Sequence, residues 1–340
     1  MKINRTELIS SLENVRPGLA NREIIEQSTS FVFQKGRVYA YNDSIAISHA
    51  APKGLEGAVQ STELHKLLAR MSDEEIDIET TDKELLIKGV RNKAGIALQS
   101  DITLPILDVS DKKTWQTLPE GFAAAVKFCL FSASADMTKP ELTCVHIDGK
   151  FVQTCDNFRL TQYELPGKGI KAAILIPASA CSELVKYKPT HYAADENWIH
   201  FTNATGTEFS CRTVEGKFPD LTSFIERKSK YKIQFHEDTA TILDRAIVFL
   251  SDDRGALQYV KVIVADGRMT IRAEGSAGWF EEKVRVAYKG EPIEFMINPA
   301  FLKDMLGLLR DVSLDAEKAV LKFEGENFVH CCAVVEGATK

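Results

Sequence analysis

Two phrases decide the reading: Thr154-Cys155-Asp156-Asn157-Phe158-Arg159-Leu160 and, further on, Val214-Glu215-Gly216-Lys217-Phe218-Pro219-Asp220. The first follows a strand pair turned at Asp148-Gly149. Between the two phrases lie an apolar run, Ala172 to Ile176, that reads as a buried strand, and a helical segment, Ala178 to Tyr187. Outward from this middle third the same plan recurs. Gly36-Arg37-Val38, Gly149-Lys150-Phe151 and Gly267-Arg268-Met269 each place Gly, a basic residue and an apolar residue at a strand turn. The glycines are 113 and then 118 residues apart, which points to a unit used three times. An acid follows each turn: Asp43, Asp156 and Glu274. Around the third turn Val260, Val262 and Val264, then Met269, Ile271 and Ala273, alternate as strands with one buried face do.

Each copy also has two helices. The opening ones are predicted over Thr6–Val15, Glu120–Phe131 and Asp238–Leu250. The second ones start after a strand, at Val59-Gln60-Ser61, Ile176-Pro177-Ala178 and Ile297-Asn298-Pro299. Ser61 suits an N-cap and Pro299 a first helical turn. Their stripes are Leu64, Leu67 and Leu68; Cys181, Leu184 and Val185; and Leu302, Met305 and Leu306. Strands then begin near Lys83, Trp198 and Phe328. Linkers are expected near Ser110–Thr117 and Glu226–Lys232, giving domains 1–112, 113–228 and 229–340. Each is an α+β unit with its helices packed on sheets.

Composition agrees with a globular chain of 340 residues, 44% apolar and 26% charged. No apolar run reaches the ~20 residues of a membrane helix, and no secretory signal is read at the N-terminus. Seven cysteines without a CxxC spacing read as buried, reduced thiols in a cytoplasmic protein. A net charge of −6 argues against tight, direct DNA binding, but leaves open a protein that encloses DNA.

The two opening phrases, in this order, resemble the middle domain of the bacterial DNA polymerase III beta subunit, the sliding clamp family. The similarity extends over the chain, with Ala20-Asn21-Arg22 and Pro105-Ile106-Leu107 as landmarks in the first third. The resemblance implies three domains of the DNA clamp fold forming a crescent. Two crescents pair into a ring, with sheets outside and helices lining the hole. It implies a non-enzymatic processivity factor for DNA replication that encircles double-stranded DNA and tethers DNA polymerase. Its partners are then the polymerase, the clamp loader and a second copy of the chain; it needs no cofactor or metal. Lys66, Arg70, Lys127, Lys186, Arg245 and Lys303 sit on exposed helix positions and become DNA-facing, with Arg22 after the first helix. Taken singly, each reads equally well as a solvated surface cation.

The resemblance further implies a pocket for partner peptides, walled by Cys155, Asn157, Phe158, Arg159 and Leu160. Cys155 stands where the family has Thr, Asn157 where it has Gly, and Phe158 where it has His. The family's C-terminal tail motif is absent, and Val334 and Val335 are assigned its role. Phe158 and Leu160 also read as plain strand-core residues. For the dimer contact, the strand Lys93–Leu98, with Ile96 and Leu98, is set against Val248 and Phe249. No P-loop, dinucleotide fingerprint or HExxH is present, and the histidines are scattered. Gly167-Lys168-Gly169 reads as a turn, and so does Asp252-Asp253-Arg254-Gly255. The alternative class is a β-rich scaffold or protein-binding module that keeps the domain plan without encircling DNA.

Overall fold

The computed structural model describes residues 1–106, 114–227, 229–250 and 258–336. Leu107, Ser110 and the Asp252–Gly255 turn lie outside them. The described residues gather into two compact units, 1–127 with 176–215, and 128–175 with 216–340. Seven α-helices are present among them: α1 (Arg5–Val15), α2 (Ser61–Arg70), α3 (Phe122–Cys129), α4 (Ala178–Leu184), α5 (Thr222–Ile225), α6 (Thr239–Ile247) and α7 (Pro299–Leu306).

The sequence rules explain the starts of two helices. Asn4 accepts from the Thr6 and Glu7 amides (2.9 and 3.1 Å) and starts α1. Asn298 accepts from Ala300 N (2.9 Å), with Pro299 at the first helical position of α7. At α2 the expectation fails. Ser61 is already helical, and its hydroxyl donates to the Thr29 carbonyl (2.6 Å) instead of capping. The predicted stripes are inward: Leu64, Leu68, Cys181, Leu184, Leu302 and Met305 are fully buried.

The first unit is built on a twelve-stranded sheet. Its hairpin turn Lys35-Gly36 has two successive left-handed residues (φ 50° and 74°), the conformation that matches strand twist. Strand Ile45–Ala50 pairs with Glu208–Arg212, so segments more than 150 residues apart share one ladder. Strand Lys93–Gln99 pairs with Glu84–Lys88 along Lys93–Ala97, and with Gly57–Gln60 only at Leu98 and Gln99. The far side of Lys93–Ala97 is thus an open edge among the described residues.

The second unit holds an eight-stranded and a five-stranded sheet. Asp266-Gly267 turns the hairpin Val260–Ala265 to Arg268–Gly275 with the same left-handed pair (φ 49° and 69°). Val260, Val262, Val264, Met269 and Ile271 are all buried, as their alternation predicts. They pack beneath Ile242, Leu243 and Ala246 of α6 and Leu302 and Met305 of α7. Strand Arg159–Glu164 pairs with Phe328–Ala333, from Arg159 opposite Cys332 to Tyr163 opposite Phe328. Strand Gly278–Arg285 forms one edge of the five-stranded sheet.

Candidate functional site

The Thr-x-Asp-x-x-Arg-Leu phrase is a turn with an anchored arginine. Asp156 Oδ1 accepts from the amides of Phe158 (2.7 Å) and Arg159 (2.8 Å). This is the side-chain turn that Asp makes at strand ends. Its other oxygen accepts from Arg159 Nε (3.0 Å), so one carboxylate fixes both the backbone and the guanidinium. Arg159 Nη1 donates to Asp304 of α7 (2.6 Å), and the guanidinium lies 4.5 Å from the Phe301 ring centre. A half-buried charge held by two carboxylates and an aromatic face is fixed in direction.

Thr154 and Thr161, flanking this turn, point the other way. Ser132 Oγ lies 2.8 Å from Thr154 Oγ1 and 2.5 Å from Thr161 Oγ1. Thr161 Oγ1 is 2.8 Å from His330 Nδ1, and His330 Nε2 is 3.0 Å from Cys332 Sγ. All these groups are fully buried. Burial, with Arg159 nearby, lowers the His330 pKa to about 3, so the ring is neutral at ordinary pH.

The turn walls a cavity of about 220 Å³. Cys155, Asn157, Phe158, Arg159 and Leu160 all line it, together with Leu142, Pro219, Leu221, Phe224, Val320 and Cys331. The second sequence phrase enters through Pro219 and Asp220. Phe218 stacks on His146 (4.6 Å between centres, 18°), and Asp220 accepts from Thr222 N (2.9 Å), which starts α5. That short helix sets Phe224, 42% exposed, at the mouth. Cys155 pairs with Leu160 and Leu160 with Cys331, so the three stand in one cross-strand row. Burial pushes the thiols of Cys155 and Cys331 up to about 12. They are protonated apolar lining, not nucleophiles. Such a cavity takes an apolar side chain, with the polar rim of Asn157 and Asp220 to orient it.

Val334 and Val335 do not reach this cavity. Val334 is buried in the hydrophobic cluster below α7, and Val335 pairs with Met296 at a sheet edge. The sequence reading missed Phe224, Cys331 and Asp304. Cys331 carried a signal, its place beside Cys332 in a strand-like apolar run. Asp304, 145 positions from Arg159, carried none.

The cations assigned to DNA divide into two groups. Arg22, Lys66, Arg70 and Lys127 are exposed and make no ion pair among the described residues. Lys186 pairs with Glu183 (2.8 Å), Lys303 with Asp244, and Arg245 with Glu282 (2.7 Å). Of the dimer candidates, Val248 is 72% exposed, and Phe249 stacks on Phe280 (6.1 Å between centres). Ile96 is half-buried on the open edge, while Leu98 is buried and laddered to Val59. Among the described residues no three His, Cys, Asp or Glu side chains are grouped to hold a metal. Among the described residues no helix is long and apolar enough to cross a membrane.

The architecture is that of the DNA clamp fold. Solved structures of similar fold include the DNA polymerase sliding clamp of Bacillus subtilis (TM-score 0.87, 18% identity, 99% of each chain covered). Another is the sliding clamp of Bartonella birtlesii bound to griselimycin (TM-score 0.86, 17% identity, 99% of each chain). No family model matches the chain. In sequence it is a divergent relative of proteins named beta sliding clamp. That of Rickettsia bellii is 21% identical over 91% of this chain and 86% of its own length. That of Vibrio cholerae is 27% identical over 45% of this chain and 40% of its own.

Proposed function

We propose that this chain is a sliding clamp, a non-enzymatic processivity factor of the cytoplasm that encircles duplex DNA and tethers a DNA polymerase. The observation that carries the reading is the coincidence of the clamp fold with the apolar cavity at Asp156–Leu160. On this reading the chain holds three repeats, 1–112, 113–228 and 229–340, and two copies close head to tail. Closure pairs the open edge Lys93–Ala97 of one copy with the edge strand Gly278–Arg285 of the other, beside Val248 and Phe249. Paired edges are also how such strands escape aggregation. The cavity then receives short apolar-anchored peptides from polymerase and clamp loader, walled by Cys155, Asn157, Phe158, Arg159 and Leu160. Arg22, Lys66, Arg70 and Lys127 meet phosphates without reading bases.

The test is negative-stain electron microscopy of the purified chain. Open-centred, six-lobed rings are the expected result. Compact solid particles sink the reading.

A second reading keeps the fold as a peptide-binding scaffold that does not encircle DNA. It is favoured by the carboxylate partners of Lys186, Arg245 and Lys303, which leave fewer cations for phosphate. The salt dependence of DNA binding separates the two, because a scaffold shows no slope.

A further inference from the structure

Arg245 has a different use from the one its helix position suggests. In strand Gly278–Arg285 the residues alternate, and Phe280, Glu282 and Val284 form the half-buried row that faces the core. Glu282 stands directly opposite Ile271, which is fully buried. A carboxylate in that row needs a donor. Arg245 of α6 supplies it as a fork, with Nε 3.0 Å and Nη2 2.7 Å from the carboxylate oxygens. A second tie lies alongside. Phe249, just past α6, stacks on Phe280 at an angle of 21°. Trp279, 64% exposed, belongs to the outward row of the strand, and Val248, next to Phe249 in sequence, is exposed too. A charged residue pointing inward from an edge strand is a known guard against indiscriminate pairing.

We infer that Arg245 is a positioning residue of the closing edge and not a DNA contact. It holds the pleat of Gly278–Arg285 against α6, so that the strand presents one register to the edge of a second copy. This rests on the ring reading above. Were the edge free to twist, a one-residue slip would turn Trp279 from the outward row to the inward one. The bidentate fork fixes geometry more than it adds energy, since exposed ion pairs stabilise weakly.

Sedimentation equilibrium on the full chain tests it, with duplex-DNA anisotropy across a salt series as the second readout. Arg245→Ala and Glu282→Ala are each expected to weaken the dimer about 5-fold, consistent with a surface pair, and the double variant no further. The exchange Arg245→Glu with Glu282→Arg is expected to return affinity to within about twofold, with an unchanged salt slope. Dimerisation unaltered by either alanine overturns the inference. So does a swap as weak as the single variants, or a salt slope reduced by about one in Arg245→Ala. A wild-type chain that stays monomeric at every concentration removes the ring reading itself.

Discussion

Asp156 does three things with two oxygens: it accepts from two backbone amides and holds Arg159. Asp156→Ala is expected to cost about 2 kcal/mol, since charged acceptors are worth more than neutral ones. It is also expected to weaken binding of a cavity peptide about tenfold. Urea unfolding and calorimetric titration read the two effects. The sequence spacing paired Asp156 with Asp43 and Glu274, and here side-chain chemistry overrules arithmetic. In the first repeat Asn42, one place earlier, accepts from the Ser44 and Ile45 amides (3.2 and 2.9 Å). Asp43 instead receives Arg212 (2.7 Å). Glu274 lies within strand Arg268–Gly275, laddered opposite Trp279, and the turn at Ser276-Ala277 begins two positions later. His330 yields a second prediction. Folded, it stays neutral down to about pH 3; unfolded, an imidazole protonates near pH 6.5. The unfolded chain therefore binds the extra proton throughout that window. Stability falls as pH drops below about 6.5, by up to about 1.4 kcal/mol per pH unit from this group. Unfolding of wild type and His330→Asn across this range reads the difference, and the variant has the shallower dependence.

At the scale of elements, helices and hairpins were legible because their signals are local. Apolar spacing set the faces of α2, α4 and α7, and Gly36 and Gly267 marked turns that demand left-handed backbone. What stayed hidden depends on partners far along the chain, such as the seat of Arg159 on α7 or Val335 beside Met296. Gly169 is one such case. It read only as part of a turn, yet a Cβ there overlaps the backbone of the Gly149-Lys150 hairpin, and its φ is +68°. Gly169→Ala is expected to destabilise by more than the ~1 kcal/mol typical of a left-handed glycine alone, because backbone on both sides must shift. Thermal unfolding beside Gly167→Ala, where the space is open, isolates the packing part.

For the whole molecule, a net charge of −6, with Arg22, Lys66, Arg70 and Lys127 making no ion pair among the described residues, predicts loose phosphate binding. Replacing Lys66, Arg70 and Lys127 together by Ala is expected to lower the salt slope of DNA association by about 0.9 for each phosphate no longer neutralised. Replacing Lys186 or Lys303 is expected to change it less, since a carboxylate already holds each. Anisotropy of labelled duplex across a salt series measures both.

The ladder between Arg159–Glu164 and Phe328–Ala333 has a consequence for biosynthesis. One wall of the cavity is translated well before the strand that completes it, with Thr161 and His330 169 positions apart. Pairing so distant in sequence is slow to form, and nascent chains fold from the N-terminus as they emerge. The cavity thus exists only once the chain through Ala333 has emerged. A partner that binds there is shielded from capture by chains cut short before Phe328, a check supplied by topology alone.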